Sequence, residues 1–258
     1  MSISSQLLIL NQTKENIKQA INLKGVEVTD EPFAEYPDKI RQIPNGGGIY
    51  DSTIIAYLQH TLTQLEIPAG TTKIRDGAFY ESSLRNGLTI PDSVTSIGGY
   101  AFQNSEIKKL VIPSSVTSIG EAAFRYSDIE SITIPNSVTT IGKYAFETCV
   151  KLTSIEIPDS VSVIEDALFY TLTEAGYRST LETVVIGTGV TSIGSKVFSG
   201  CRAIQSLTIK AISPPTIVSD TFSNINDFPI YVPSGSVLAY QTADIWMNYA
   251  SRIQAIPS

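Results

Sequence analysis

The chain has 258 residues, 42% of them hydrophobic and 17% charged, with a formal net charge of −7. That is enough apolar side chain to bury a sizeable core, so disorder is excluded, and a surface poor in charge must draw on Ser and Thr instead. The acidic balance argues against a nucleic-acid partner, which needs a basic face, and no stretch approaches the roughly 20 apolar residues of a membrane span.

The N-terminus, MSISSQLLILNQ, has a four-residue apolar run with no basic residue before it and no small-residue cleavage site. A secretory signal needs roughly 7–15 apolar residues behind positive charge, so the expectation is a chain with no visible export route. Thr13 can cap a helix over Lys14–Lys24, with Ile17, Ala20, Ile21 and Lys24 at helical spacing and Gly25 at its stop. A second short helix is expected over Tyr36–Ile43, and residues 44–48 (PNGGG) read as a linker. Two short helices hardly fold alone, so residues 1–48 are expected to attach the chain to its first coil, to other copies in a homo-oligomer, or to a larger assembly.

A repeat then takes over. Successive units read LEIPAGTTKIRDGAF, LTIPDSVTSIGGYAF, LVIPSSVTSIGEAAF, ITIPNSVTTIGKYAF and IEIPDSVSVIEDALF, followed by VVIGTGVTSIGSKVF and a degraded LTIKAISPPTIVSDTF. Their last Phe residues fall at 79, 102, 124, 146, 169, 198 and 222, giving spacings of 23, 22, 22, 23, 29 and 24. This period predicts a β-rich α/β solenoid, a right-handed leucine-rich-repeat solenoid of about seven coils, each with two short strands and a short helical turn. The alternation in Ile107-Leu110-Ile112 or Leu152-Ile155-Ile157 points apolar residues inward at a strand. Pro68, Pro91, Pro113, Pro135 and Pro158 end it, since Pro donates nothing to a ladder. Val-Thr-Ser-Ile makes the second strand, and Gly98, Gly120, Gly142 and Gly194 are expected to release the backbone into the helical turn carrying Ala-Phe. Residues 49–225 form the solenoid on this reading, and 226–258 its C-terminal cap: a strand at Ile230–Val232, then a helix whose apolar side carries Val237, Tyr240, Ile245, Trp246 and Tyr249.

The phrase at Ile90–Phe102, IPDSVTSIGGYAF, resembles the BspA-like (Treponema-type) leucine-rich repeats of bacteria, and the resemblance covers roughly residues 50–225. It implies a surface or adhesive binding protein without catalytic activity; the shared positions are scaffold and carry no ligand residue across. Residues 13–40, TKENIKQAI…GV…PFAEYPDKI, resemble a short N-terminal element of phage and prophage tail and fibre proteins. That resemblance implies a virion component, made in the bacterial cytoplasm and released by lysis.

No catalytic, cofactor or metal residues are expected. His60 is the one histidine and has no Cys or His at ligand spacing. Gly189–Lys196, GVTSIGSK, has Ser195 where a phosphate loop needs Lys, and it lies in repeat register. Cys149 and Cys201 occupy equivalent positions two coils apart, about 10 Å at strand spacing, beyond the roughly 7 Å reach of a disulfide. Free, mostly buried thiols are the expectation.

Recognition is expected on the outward residues of the stacked main strands: Gln64, Glu66, Arg85, Asn86, Lys108, Lys109, Glu130, Thr133, Thr153, Glu156, Glu182 and Thr208. This face mixes both charge signs with hydroxyls and reads as free of aromatic residues. A second candidate is the edge bearing Tyr80, Tyr100, Tyr126, Tyr144 and Tyr170, next to the insertion TLTEAGYRST that lengthens one repeat to 29 residues and offers Tyr177 and Arg178. The expected function is a phage or prophage tail-associated receptor-binding component that recognises a protein or glycan on a bacterial surface. The alternatives are a bacterial cell-surface or secreted adhesin binding host matrix or other cells, and an intracellular scaffold.

Overall fold

The computed structural model describes residues 67, 69–82, 84 and 88–257. The helices expected within 1–48, His60, and the candidate residues Gln64, Glu66, Arg85 and Asn86 lie outside the described residues.

Two parallel sheets run along a solenoid. The main one is built from β2 (Leu88–Thr89), β4 (Lys109–Val111), β6 (Ser131–Thr133), β8 (Ser154–Ile157), β10 (Thr183–Ile186), β12 (Ser206–Ile209), β13 (Ile230–Val232) and β14 (Ile253–Ala255). β2, β4 and β6 pair in order, β8 to β14 form a second run, and β6 packs beside β8. The second sheet holds β1 (Lys73–Ile74), β3 (Ser96–Ile97), β5 (Ser118–Ile119) and β7 (Thr140–Ile141), with β9 (Val163–Ile164) and β11 (Ser192–Ile193) forming a separate pair. Pairing always joins equivalent repeat positions, as in Leu88↔Leu110↔Ile132 and Ile155↔Val184↔Leu207. The period-2 alternation therefore buries the same column in every coil. GVTSIGSK supplies β11 and the turn after it, which makes it scaffold.

The seven Phe residues form one column. Successive rings stack with centroids 5.0, 5.2, 5.3, 6.0, 5.7 and 5.3 Å apart, a spacing set by the strand-to-strand step of roughly 4.8 Å.

The segments carrying Ala-Phe differ from the expected helical turns. In the second of them Gln103 and Ser105 donate back three residues within the turn, while Tyr100, Phe102 and Asn104 donate to the next coil, at Glu121, Ala123 and Arg125. A helix would spend its N–H groups within its own turns and leave this edge of adjacent coils joined chiefly by side chains. Reaching the neighbour requires a left-handed residue two before the Phe (Tyr100, Ala122, Tyr144, Ala167, Lys196) and, in most coils, another two after it (Glu81, Asn104, Tyr126, Thr148). Such conformations are unfavourable for residues with a Cβ; here the inter-coil hydrogen bond donated by the same residue, or at Lys196 by Phe198 two residues on, offsets the strain.

The repeated glycines also have a different reason from the one expected. Gly98, Gly120, Gly142 and Gly194 are not among the left-handed positions. A Cβ on Gly120 would lie 2.5 Å from the Gly99 nitrogen, and one on Gly142 2.5 Å from that of Glu121. Glycine is present because consecutive coils touch backbone to backbone.

The abundant hydroxyls are bonded along the same axis. Thr95, Thr117 and Thr139 each donate through Oγ1 to the carbonyl of Thr72, Thr95 and Thr117, at 3.0, 3.2 and 3.3 Å. Ser93 and Ser115 reach Thr71 and Val94 at 2.8 and 2.6 Å.

At the C-terminal end Trp246 and Tyr249 meet the last Phe edge-on, with centroids 5.9 and 5.1 Å from Phe222. Trp246 is 1% exposed and donates to the Pro215 carbonyl at 2.6 Å; buried Tyr240 donates to that of Ala211 at 2.8 Å. The expected single helix is shorter: α1 spans Val237–Thr242, and Ile245 turns left-handed (φ 61), held by the Asp244 carboxylate on its N–H. A 3-10 stretch, Trp246–Arg252, then leads into β14, so the described chain closes on a strand.

Gly120→Ala is expected to lower unfolding stability by about 1–3 kcal/mol in a urea titration, because backbone cannot move aside for the methyl group. Gly235→Ala, with open space around its Cβ, should change it by less than about 0.5 kcal/mol. Equal effects at the two sites would refute backbone-to-backbone stacking as the reason for the repeated glycine.

Candidate recognition surface

Because strands pair in register, their outward residues fall into rows. One row runs Thr89–Val111–Thr133, then Glu156–Val185–Thr208–Tyr231–Gln254; another holds Lys109–Ser131, then Ser154–Thr183–Ser206. Alongside, backbone bonds link the residues entering the strands: Glu130 donates to Lys108 at 2.7 Å, Glu182 to Thr153 at 2.8 Å and Gln205 to Glu182 at 2.8 Å. Lys108, Lys109, Glu130, Thr133, Thr153, Glu156, Glu182 and Thr208 are thus placed along one sheet.

Two ion pairs on this surface join coils. Lys108 lies 3.2 Å from Glu130, and Lys210 lies 2.7 Å from Glu156. The hydrogen bond to Glu156 raises the Lys210 ammonium above its usual range, and the Thr188 N–H holds the Asp159 carboxyl below its own. Between β6, β8 and β10 the face sinks into an open groove of about 560 Å³, with Thr133, Asn136, Ser154, Glu156, Asp159 and Thr183 around a partly exposed Ile132. Such a groove offers hydrogen-bond donors and acceptors of both signs over a small apolar floor.

The face is not free of aromatic residues. Tyr231 on β13 stands in register with Thr208. Its sign in the sequence is the alternation Ile230-Tyr231-Val232, once that segment is aligned as a further main strand and not set apart as a cap.

Tyr177 and Arg178 lie elsewhere. Their loop leaves the fifth Phe turn and folds back, so that the Tyr177 ring rests 5.8 Å from Tyr126, two coils earlier. Tyr126 belongs to a cluster in which Arg125 Nε lies 2.8 Å from Glu147 Oε2 and its guanidinium sits 4.8 Å above the Tyr126 ring. Glu147 is 2% exposed; burial raises its carboxyl while Arg125 pulls it the other way. This is a packed structural pair. Of the other tyrosines on this edge, Tyr80 and Tyr100 are exposed, and Tyr144 and Tyr170 are half-buried.

Among known families, the BspA type leucine rich repeat region matches residues 55–176 and 173–241. The chain belongs to the BspA-type leucine-rich-repeat family. Among solved structures, the pneumococcal vaccine antigen PcpA superposes with a TM-score of 0.56 at 24% identity, over 70% of this chain and 42% of PcpA. A leucine-rich repeat protein of Bacteroides ovatus gives 0.45 at 25% identity, over 67% and 49% of the two chains. The leucine-rich repeat protein of T. pallidum gives 0.48 at 19%, over 76% and 87%. This BspA-type chain spans less than half the length of the first two. No curated protein matches it.

Among the described residues of this BspA-type chain, no three His, Cys, Asp or Glu side chains come together to hold a metal, and no helix is long and apolar enough to cross a membrane. Cys149 and Cys201 are free and buried. Each stands three residues after its Phe, where earlier coils have Ser82, Ser105 and Ser127. Cys149 Sγ donates to the Phe124 carbonyl at 2.9 Å and Cys201 Sγ to that of Phe169 at 3.0 Å. Burial pushes both thiols up to about 12 from an ordinary value of 9.0. The native protein should therefore leave both thiols unreactive to a disulfide reagent near pH 8, and both should titrate once it is unfolded. The sign of the stability effect follows from the raised values. The unfolded chain loses these protons first, so stability is fully present below pH 9.0 and falls as pH rises towards about 12. A Cys149→Ser, Cys201→Ser variant should flatten that decline in thermal melts; an unchanged slope would contradict this assignment.

Proposed function

We propose that this BspA-type protein is a non-enzymatic adhesin displayed at a bacterial cell surface, binding a protein or glycan through the outer face of its main sheet. The observation that carries this reading is the set of in-register outward rows from Thr89 to Gln254. Their side chains point away from the core, they mix hydroxyl, charged and aromatic groups, and those over β6, β8 and β10 line a groove open to solvent. Family membership supports binding over catalysis, and the likeness to PcpA, described as a vaccine antigen, supports display at a surface.

The tail-protein resemblance at residues 13–40 favours a second reading: a phage or prophage tail-associated receptor-binding component carrying the same face. Residues 1–48 would then attach or oligomerise the chain, with the solenoid over 49–225 and its cap over 226–258.

Binding of labelled full-length protein to a panel of intact bacteria, and to immobilised host matrix proteins, tests both. The adhesin reading expects saturable binding to matrix or to other cells, weakened about tenfold by Thr183→Arg in the groove with an unchanged melting temperature. Strain-selective binding to bacteria by an oligomer that dissociates when residues 1–48 are removed would establish the tail reading instead. Absence of binding to every surface would overturn both.

A further inference from the structure

The insertion between the fifth and sixth Phe is pinned on both sides. Thr180 Oγ1 donates to the carbonyls of Val150 and Leu152 at 2.9 and 3.1 Å, Tyr177 leans on Tyr126 at 5.8 Å, and Asn224 Nδ2 donates to Thr173 Oγ1 at 3.1 Å. A loop held to three other coils is pre-organised. It encloses with the turn at residues 200–203 a groove of about 480 Å³, whose polar lining is Thr173, Tyr177, Arg178, Ser179 and Arg202. Gly176, Gly200 and Ala203 complete the wall. Gly200 is left-handed (φ +81), and a Cβ there would meet the Thr171 carbonyl at 2.3 Å, so the close approach is built into the backbone.

The charge of this groove is opposite to that of the chain. No carboxylate lines it, and Glu174, the one acid in the loop, is exposed and outside the lining. Arg125 and Arg252 each meet a carboxylate, Glu147 at 2.8 Å and Asp227 at 3.3 Å. Among the described residues Arg178 has no ion pair, and Arg202 is held by the neutral Asn224 side-chain carbonyl, which orients the guanidinium without neutralising it. Two unneutralised guanidinium groups in one concavity, on a chain of net charge −7, make a site for an anion; their planar forks match a carboxylate.

We propose that this groove binds the carboxylate of an acidic sugar residue at the end of a glycan. The carboxylate pairs with Arg178 and Arg202, the ring lies against Tyr177, and the hydroxyls meet Thr173 and Ser179. An acidic peptide fits less well, because no lining residue belongs to a strand and there is no edge against which a peptide backbone could pair. The assignment deepens the adhesion reading and rests on it for its biological use.

The test is calorimetric titration of the full-length protein with glucuronic-acid-terminated and sialic-acid-terminated oligosaccharides, beside analogues whose carboxylate is reduced to an alcohol. An acidic oligosaccharide should bind and its reduced analogue should not. Arg178→Ala and Arg202→Ala should each weaken binding about tenfold or more, Arg178→Lys less, and added salt should weaken it further. Thr183→Arg, on the sheet face, should leave it unchanged. The site is refuted if neither acid binds, if the reduced analogues bind equally, if the arginine variants bind as the parent does, or if an oligoglutamate peptide binds as tightly as the sugars. Cell adhesion that is lost in Thr183→Arg, with no acidic sugar bound, would refute this site and leave the adhesin standing. An acidic sugar bound by a protein that adheres to no surface would do the reverse.

Discussion

The constraint on which this molecule depends is the backbone hydrogen bond between consecutive coils. It forms at three places around most coils, at the main strands, at the short second strands and at the turns beside the Phe column, and at the turns alone between the coils of Phe146 and Phe169. Each coil presents backbone N–H and C=O groups to its neighbour, and an isolated coil would leave them unpaired. The strand step therefore dictates everything else that repeats, including the stacking of the rings at 5.0–6.0 Å. Sequence features that look decorative in one repeat become necessary once this spacing is imposed. Glycine occurs where two backbones meet, and left-handed tyrosine and alanine occur where an N–H must turn towards the next coil.

The same constraint explains a surface with so few charges. Thr and Ser hydroxyls donate along the solenoid axis to the preceding coil, which a longer charged side chain could not do without pushing coils apart. Several charged residues form coil-to-coil pairs, as in Lys108–Glu130, Lys151–Asp128 and Arg125–Glu147. Exposed pairs of this kind add little to stability. Their effect is to neutralise the surface where they occur, whereas Arg178 and Arg202 share one groove whose lining holds no carboxylate.

Two candidate recognition surfaces follow from one repeat. The outer face of the main sheet is a direct product of the period, since every coil contributes the same outward positions. The insertion groove comes from the one place where the period is broken, with 29 residues between Phe169 and Phe198. A loop there can reach back to Tyr126 and forward to Asn224 because the solenoid presents them at fixed intervals on the same side. The regular part supplies an extended surface and the irregular part a small concave one, which suit different features of a target.

By itself the sequence determined the repeat, the inward columns of Leu, Ile, Val and Phe, and the outward placement of Lys109, Thr133, Glu156 and Thr208, because alternation and period depend only on local geometry. It also carried the placement of the two cysteines three residues after their Phe. Only the tertiary structure decided what lies between coils. The turns at Ala-Phe are not helical, because their N–H groups have partners that exist only after stacking. Gly120 answers to the backbone of Gly99, 21 residues away in sequence, and not to its own turn. Tyr231 and β14 join the main sheet because an open last strand offers them hydrogen bonds, whereas their own residues would serve equally well in a cap. Arg178 and Arg202 share a groove because a loop folds back over a neighbouring turn, and no period in the sequence records that fold.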